Sequence, residues 1–397
     1  MSTDYNTMKQ SIATTESSRL LSLDILRGIT IAGMILVNNA GSGNYAYAPL
    51  RHAHWHGLTP TDLVFPFFMF IMGVSTFLSL RKFNFVPSGA AVWKIVRRTL
   101  LIFLIGVALG WFGQLLRGLA SGESFVQAAT HFNTLRILGV LQRLALAYGF
   151  AALIALMVKN KTLPWVIALL LTGYYLLLRL GKGFEMSEEN IIAVVDKALW
   201  GTGHMYKDTN SEGVRIAFDP EGLLSTIPSV AHVLIGFLFG QLIALHKENH
   251  IRVEKLLIWG TLLTFSGLLL QYGCPINKKI WSPTFVLTTT GLAAQLLGLL
   301  IWVIDINNKK RWSRFFHAFG VNPLIVYVFA GVMASLVSNI RFGWQGETIS
   351  IKVFAYQVLL RPWAGDYFGS FLYALLFVTL CWLFGFILYK KNIYIKL

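Results

Sequence analysis

Arg51-His-Ala-His-Trp-His-Gly-Leu-Thr-Pro-Thr-Asp62 runs straight into Leu63-Val-Phe-Pro-Phe-Phe-Met-Phe-Ile-Met-Gly73. The second half is apolar and uncharged, and with the residues that follow it is long enough to cross a bilayer. The first half sets three histidines, an indole and a carboxylate at its mouth. Ionisable groups at a membrane boundary are costly to bury and often functional. Histidine there can exchange a proton near neutral pH. Trp55 would also suit the aromatic belt of a membrane interface, and the loop could be a simple anchor.

The rest of the chain has the same character. Its 397 residues are 55% hydrophobic and 13% charged, with mean hydropathy +0.60. A soluble domain carries about twice that charge. The length would suit about two or three soluble domains, but apolar runs dominate, so the chain reads as one all-α, polytopic membrane bundle. The net charge of +16 lies in short loops rather than on one basic face, and no nucleic-acid partner is expected. Cys274 and Cys381 give neither a disulfide framework nor metal-ligand spacing. Residues 1–18 are polar, lack a cleavable signal pattern, and read as a disordered cytoplasmic tail. Residues 19–397 read as a single transmembrane domain.

About ten spans are expected, near 21–40, 59–80, 95–114, 134–157, 163–179, 222–246, 255–272, 283–304, 315–338 and 367–389. In the ninth, Pro323 disfavours helix at the residue before it. The loops alternate in charge. Arg81, Lys82, Lys94, Arg97 and Arg98 crowd the second; Lys159 and Lys161 the fourth; Lys247, Arg252 and Lys255 the sixth; Lys309, Lys310, Arg311 and Arg314 the eighth. The first and third hold only Arg51 and Arg117. This pattern puts both termini in the cytoplasm and the histidine loop on the opposite side. The long fifth loop, about 180–221, is expected there too, its middle a solvated connection. No repeat relates the two halves, which weighs against transporter folds built that way.

Several spans carry polar groups. Asp24 and Arg27 are three apart on one helix and can pair. Asn38 and Asn39, near the histidine loop, could orient a carbonyl or cap the helix. Arg136-Ile-Leu-Gly-Val-Leu-Gln-Arg143 places two arginines seven apart on one helical face, beside Gln142. Arg143 counts well inside the span, so it should meet an anion, or pair with Asp24 or Asp62. His232, Gln241 and Gln295 suit helix–helix hydrogen bonds.

Taken together, Leu23-Asp-Ile-Leu-Arg-Gly28, Val37-Asn-Asn39, His52-Ala-His-Trp-His-Gly57, Thr59-Pro-Thr-Asp-Leu-Val-Phe-Pro66 and the 136–143 segment resemble the heparan-α-glucosaminide N-acetyltransferase family. So do Phe218-Asp-Pro-Glu-Gly-Leu-Leu-Ser-Thr-Ile-Pro228, Pro275-Ile-Asn-Lys-Lys-Ile-Trp281 and Gly320-Val-Asn-Pro323. The motifs fall in order from about residue 20 to the C-terminus. The resemblance implies acetyl transfer across a membrane, from cytoplasmic acetyl-CoA to the amino group of a glucosamine. It implies His52 as the functional histidine, His56 as a polar contact, Asn38 as the better match of the two asparagines, and a homodimer. The luminal domain of the lysosomal enzyme has no counterpart, so the compact form of a bacterial inner membrane is expected.

Such chemistry would use His52 as general base or as acetyl carrier. Asp62 would orient its ring, or cap the second helix. Asn38 would donate to the thioester oxygen. Arg27, Arg136, Gln142 and Arg143 are the candidates for the donor's phosphates. Trp55, His56, Asp219, Glu221, Asn277 and Trp281 are the candidates for the cationic sugar. No metal is expected. Two rivals share the inventory: a proton-coupled sugar transporter, and an O-acyltransferase of a cell-envelope glycan.

Overall fold

The computed structural model describes residues 20–210 and 212–395; the expected tail at 1–18 lies outside them. The chain is a polytopic helical membrane protein. Among the described residues nine helices are long and apolar enough to cross a bilayer, or ten if one bent pair counts as a single span.

The helices are α1 (Leu21–Asn38), α2 (Pro60–Leu80), α3 (Gly89–Ala120), α4 (Val140–Met157) and α5 (Leu163–Leu180). A short helix, α6 (Ile191–Trp200), lies in the long loop. Then come α7 (Thr226–Leu245), α8 (Asn249–Leu270), and α9 (Pro283–Leu300), which runs on as a π-helical turn, Ile301–Ile306. The bent pair is α10 (Arg314–Val321) and α11 (Pro323–Asn339), and α12 (Asp366–Lys390) follows. α1, α2, α4, α7 and α9 are largely buried, while α3, α5, α8 and α12 bury a third or less of their apolar windows. The outer helices present side chains such as Leu104, Trp165 and Phe265 to what would be lipid.

Glycines set the closest crossings. A Cβ on Gly73 of α2 would lie 2.2 Å from the Val233 carbonyl oxygen of α7, and one on Gly236 of α7 would lie 2.4 Å from that of Phe70. Only a missing side chain lets these backbones touch.

Most span boundaries match the sequence expectation within a few residues, but two differences matter. The fourth span starts at Val140 rather than 134, after an extended Gly139. Arg136 is therefore not helical, the 136/143 helical face does not exist, and Arg143 sits in the first turn rather than mid-membrane. The ninth is not one helix: α10 and α11 meet at 88°, because Pro323 lacks an N–H and drives Asn322 out of the helical region (φ −126°, ψ 55°).

The fifth loop is also more than a solvated connection. Ile192 and Ala193 of α6, with Ile216 and Phe218, bury against Tyr174, Leu178 and Ile280, and Trp55 packs on them. Strand β1 (Lys207–Thr209) pairs antiparallel with β2 (Arg215–Ala217). A second ribbon, β3 (Arg341–Trp344) with β4 (Glu347–Ser350), follows α11. These pieces gather on the face of the bundle that carries the histidine loop. The basic loops lie on the other face.

Candidate active site

The site begins at the start of α2. Pro60 occupies the first turn, where its missing N–H costs nothing. Thr59 and Asp62 close the turn: Asp62 Oδ2 accepts from the Thr59 backbone N–H at 3.1 Å and from its hydroxyl at 2.9 Å. The same oxygen accepts from the Ala53 N–H at 3.1 Å, which folds the histidine loop over the helix. Oδ1 is left for His52, whose Nδ1 lies 2.7 Å away. Asp62 thus contacts both the helix start and His52, one with each oxygen. It is fully buried, while the His52 side chain is 45% exposed. Because a carboxylate only accepts, Nδ1 carries the hydrogen, and Nε2 holds its lone pair on the accessible side.

A third group joins them. Lys278 Nζ lies 2.9 Å from His52 Nδ1, 3.4 Å from Nε2 and 3.5 Å from Asp62 Oδ1. Burial lowers the pKa of Lys278, opposed by Asp62 and Glu221. Its local signal in the sequence is the Lys278-Lys279 pair in the short loop before α9.

The neighbouring histidine-loop residues are held as support. Trp55 Nε1 donates to the Phe184 carbonyl at 2.8 Å, and the Gly57 N–H donates to that of Ile276 at 2.8 Å. His56 Nδ1 lies 3.3 Å from Asn277 Nδ2. Burial lowers the pKa of His56, opposed by its backbone contact at Phe184. Asn277 is itself buried, its Oδ1 accepting from the Ile280 N–H. Trp281 is 1% exposed, enclosed by Phe65, His232, Phe285 and the Arg143 guanidinium. It offers no open face to a sugar. Asn38, the last residue of α1, is exposed on this face, whereas Asn39 caps the helix through the Ile35 carbonyl.

The expected donor and acceptor groups mix. Arg136 bonds both oxygens of Asp219, at 2.5 and 2.9 Å, and Glu221 at 2.5 Å. Burial opposes the charge on Arg136, but the two carboxylates outweigh it and raise its pKa. Glu221 is held below the carboxylate range by Arg136 and Arg143 against the opposing effect of burial. Arg143 pairs with neither Asp24 nor Asp62. It donates to Ser225 Oγ and to the Gly222 carbonyl. Gln142 fills the α3–α4 interface, where a Cβ on Gly106 would meet its Oε1 at 2.6 Å. Arg136 and Arg143 therefore knit the histidine face together.

The opposite, basic face holds a cavity of about 370 Å3, lined by Arg27, Ser75, Ser79, Lys94 and Arg98 among others. Arg27 bonds Asp24 at 2.9 Å and Ser75 at 2.8 Å. Arg98 lies over the Tyr148 ring, and its buried Nε has no hydrogen-bond partner. Phe68, Leu144, Pro323 and Leu324 line this cavity and also a smaller apolar one deeper in, which reaches Tyr327. Among the described residues no group of three His, Cys, Asp or Glu side chains is placed to hold a metal ion.

No protein-family model matches the chain. It is 28% identical over 366 residues to heparan-alpha-glucosaminide N-acetyltransferase of Homo sapiens, covering 78% of this chain and 52% of that protein. For the protein of the same name from Mus musculus the figures are 27% over 365 residues, 79% and 53%. The chain spans about half the length of these curated relatives. The similarity supports a family relationship between this chain and the heparan-alpha-glucosaminide N-acetyltransferases.

Proposed function

We propose that the chain is a transmembrane N-acetyltransferase that takes acetyl from cytoplasmic acetyl-CoA and delivers it to the amino group of glucosamine or a glucosamine-containing saccharide. The observation that carries this reading is the His52–Asp62 pair, set on one face of a bundle whose other face opens into a cation-lined cavity. The loop charges assign the basic face to the cytoplasm. Arg27, Lys94 and Arg98 then meet the phosphates of the donor, a role for which guanidinium groups are suited. The apolar lining from Phe68 to Tyr327 suits the uncharged pantetheine arm. The names of the relatives supply the amino-sugar class. The resemblance adds a homodimer in a bacterial inner membrane.

His52 Nε2, with its lone pair outward, either removes a proton from the attacking amine or takes the acetyl group itself. Asp62 holds the ring in the tautomer both routes need and offsets the positive charge that develops on it. Asn38 stands at the same face as a donor to the thioester oxygen. Arg136, Asp219, Glu221 and Trp55 shape the acceptor side.

The test is full-length protein in lipid nanodiscs with acetyl-CoA and glucosamine, followed by thiol release and mass spectrometry. Free CoA and an amide product are expected. Glucosamine movement in proteoliposomes without thiol release would establish a transporter instead, and an ester product an O-acyltransferase.

A further inference from the structure

Lys278 lies in the loop between α8 and α9, 226 residues from His52, yet its Nζ sits across the His52–Asp62 contact. Nδ1 of His52 already carries a hydrogen for Asp62, so Lys278 cannot donate to it. One N–H of the ammonium can serve Asp62 Oδ1 at 3.5 Å. An ammonium has three; a second can point at the Nε2 lone pair, which leaves one for another acceptor. The 3.4 Å separation puts it beside the atom that takes either the acetyl carbon or the proton of the attacking amine.

We propose that Lys278 is a catalytic residue of this site: its ammonium donates to the acetyl oxygen as that oxygen becomes negative. The proposal rests on the acetyltransferase reading above. Attack by the amine nitrogen or by Nε2 forms a bond to the carbonyl carbon. The C=O π pair moves to oxygen, where Lys278 meets it. The pair then returns, the C–S bond breaks, and its electrons leave on sulfur as thiolate, which takes up the proton the amine loses, directly or through His52. On the covalent route the amine then attacks the acetyl carbon held on Nε2, a second oxyanion forms and collapses, and the C–Nε2 bond breaks with its electron pair returning to the imidazole. An oxyanion therefore forms on both routes, and the role of Lys278 is the same in each. A donor aimed at developing charge in a site poor in water typically contributes about 10²–10³-fold in rate. Lys278 is 19% exposed at its side chain, and the charged groups around it are Asp62 from α2, Glu221 from the loop before α7 and Arg143 from α4.

The structural alternative is that Lys278 merely ties its loop to α2. Kinetics of Lys278→Met and Lys278→Arg in nanodiscs separate the two, beside thermal unfolding of each variant. Lys278→Met is expected to lose at least about 100-fold in kcat, with the KM for acetyl-CoA within threefold of wild type. Because Lys278 acts as a cation and burial lowers its pKa, wild-type kcat should fall in alkali below the usual lysine range. Lys278→Arg should retain part of the activity and carry it to higher pH, since guanidinium stays charged. Turnover of Lys278→Met within threefold of wild type overturns the assignment and leaves the acetyltransferase reading standing. So does an alkaline limb unmoved in Lys278→Arg, which decides the matter even if Lys278→Met does not fold. Wild-type protein that releases no thiol overturns both.

Discussion

Asp62 places one oxygen 2.7 Å from Nδ1 of His52 and gives the other to the N-terminus of α2, through Thr59 and the Ala53 N–H. The start of a membrane helix and the orientation of an imidazole are thereby one structure. The ring inherits the rigidity of the bundle, although its loop is largely exposed.

Asp62→Asn is expected to damage both functions separately. Loss of the negative charge in the first turn of α2 should lower stability by about 0.3–1 kcal/mol. The amide can also hydrogen-bond the imidazole in the wrong tautomer, and turnover should fall by about 10²–10⁴-fold. Thermal unfolding and thiol release on the same sample check this. Wild-type turnover at reduced stability would leave Asp62 a cap alone.

His52→Ala should abolish acetyl transfer, by about 10²–10⁴-fold, while acetyl-CoA still binds. His54→Ala should not, because His54 is exposed and lies outside the His52–Asp62–Lys278 group. Calorimetric binding beside the thiol assay distinguishes the two. A larger loss in His54→Ala than in His52→Ala would reverse the assignment.

Arg98→Ala should weaken acetyl-CoA binding about tenfold, the scale of one lost charge-assisted hydrogen bond. Arg136→Ala should leave that affinity within threefold, because Arg136 is engaged by Asp219 and Glu221 on the other face. Equal effects of the two substitutions would remove the basic cavity as the donor site.

Asp196 provides a pH signature of the loop fold. Burial raises its pKa to about 6, against the Leu223 N–H that bonds Oδ1. A raised carboxyl pKa means folding favours the protonated form. Stability is therefore greatest below the unfolded value, near 3.8, and declines as pH rises towards about 6, by on the order of 3 kcal/mol. Asp196→Asn should flatten that fall and raise the melting temperature at pH 8. A wild-type melting profile that rises from pH 4 to 6, with no difference in the variant, would contradict the burial argument.

The membrane orientation is open to labelling. Cys274 and Cys381 are buried, so a cysteine at exposed Ala48 should react with an impermeant reagent from outside intact cells. Reaction only after permeabilisation would invert the topology and place the basic cavity on the wrong side for cytoplasmic acetyl-CoA.

The spans and the Thr59–Asp62 helix start were legible in the sequence because each depends on local facts: about 20 apolar residues in a row, a proline, and a capping side chain three residues from its partner. His52 and Asp62 are ten residues apart across one turn, so their pairing was within reach as well. The tertiary structure alone decided the rest. Arg136, placed with the donor, bonds Asp219 and Glu221, placed with the acceptor, across 83 and 85 residues of sequence. Trp281, expected to meet sugar, is sealed beneath the site. The fifth loop gained a core because Ile192, Ile216 and Phe218 meet only when folded. Lys278 reached His52 only through the packing of α9 and its preceding loop against α2. Hydropathy and capping are read within a few residues of chain, whereas these contacts depend on how close helices approach and where loops cross, and glycines such as Gly73 and Gly236 set that distance without revealing which partners it brings together.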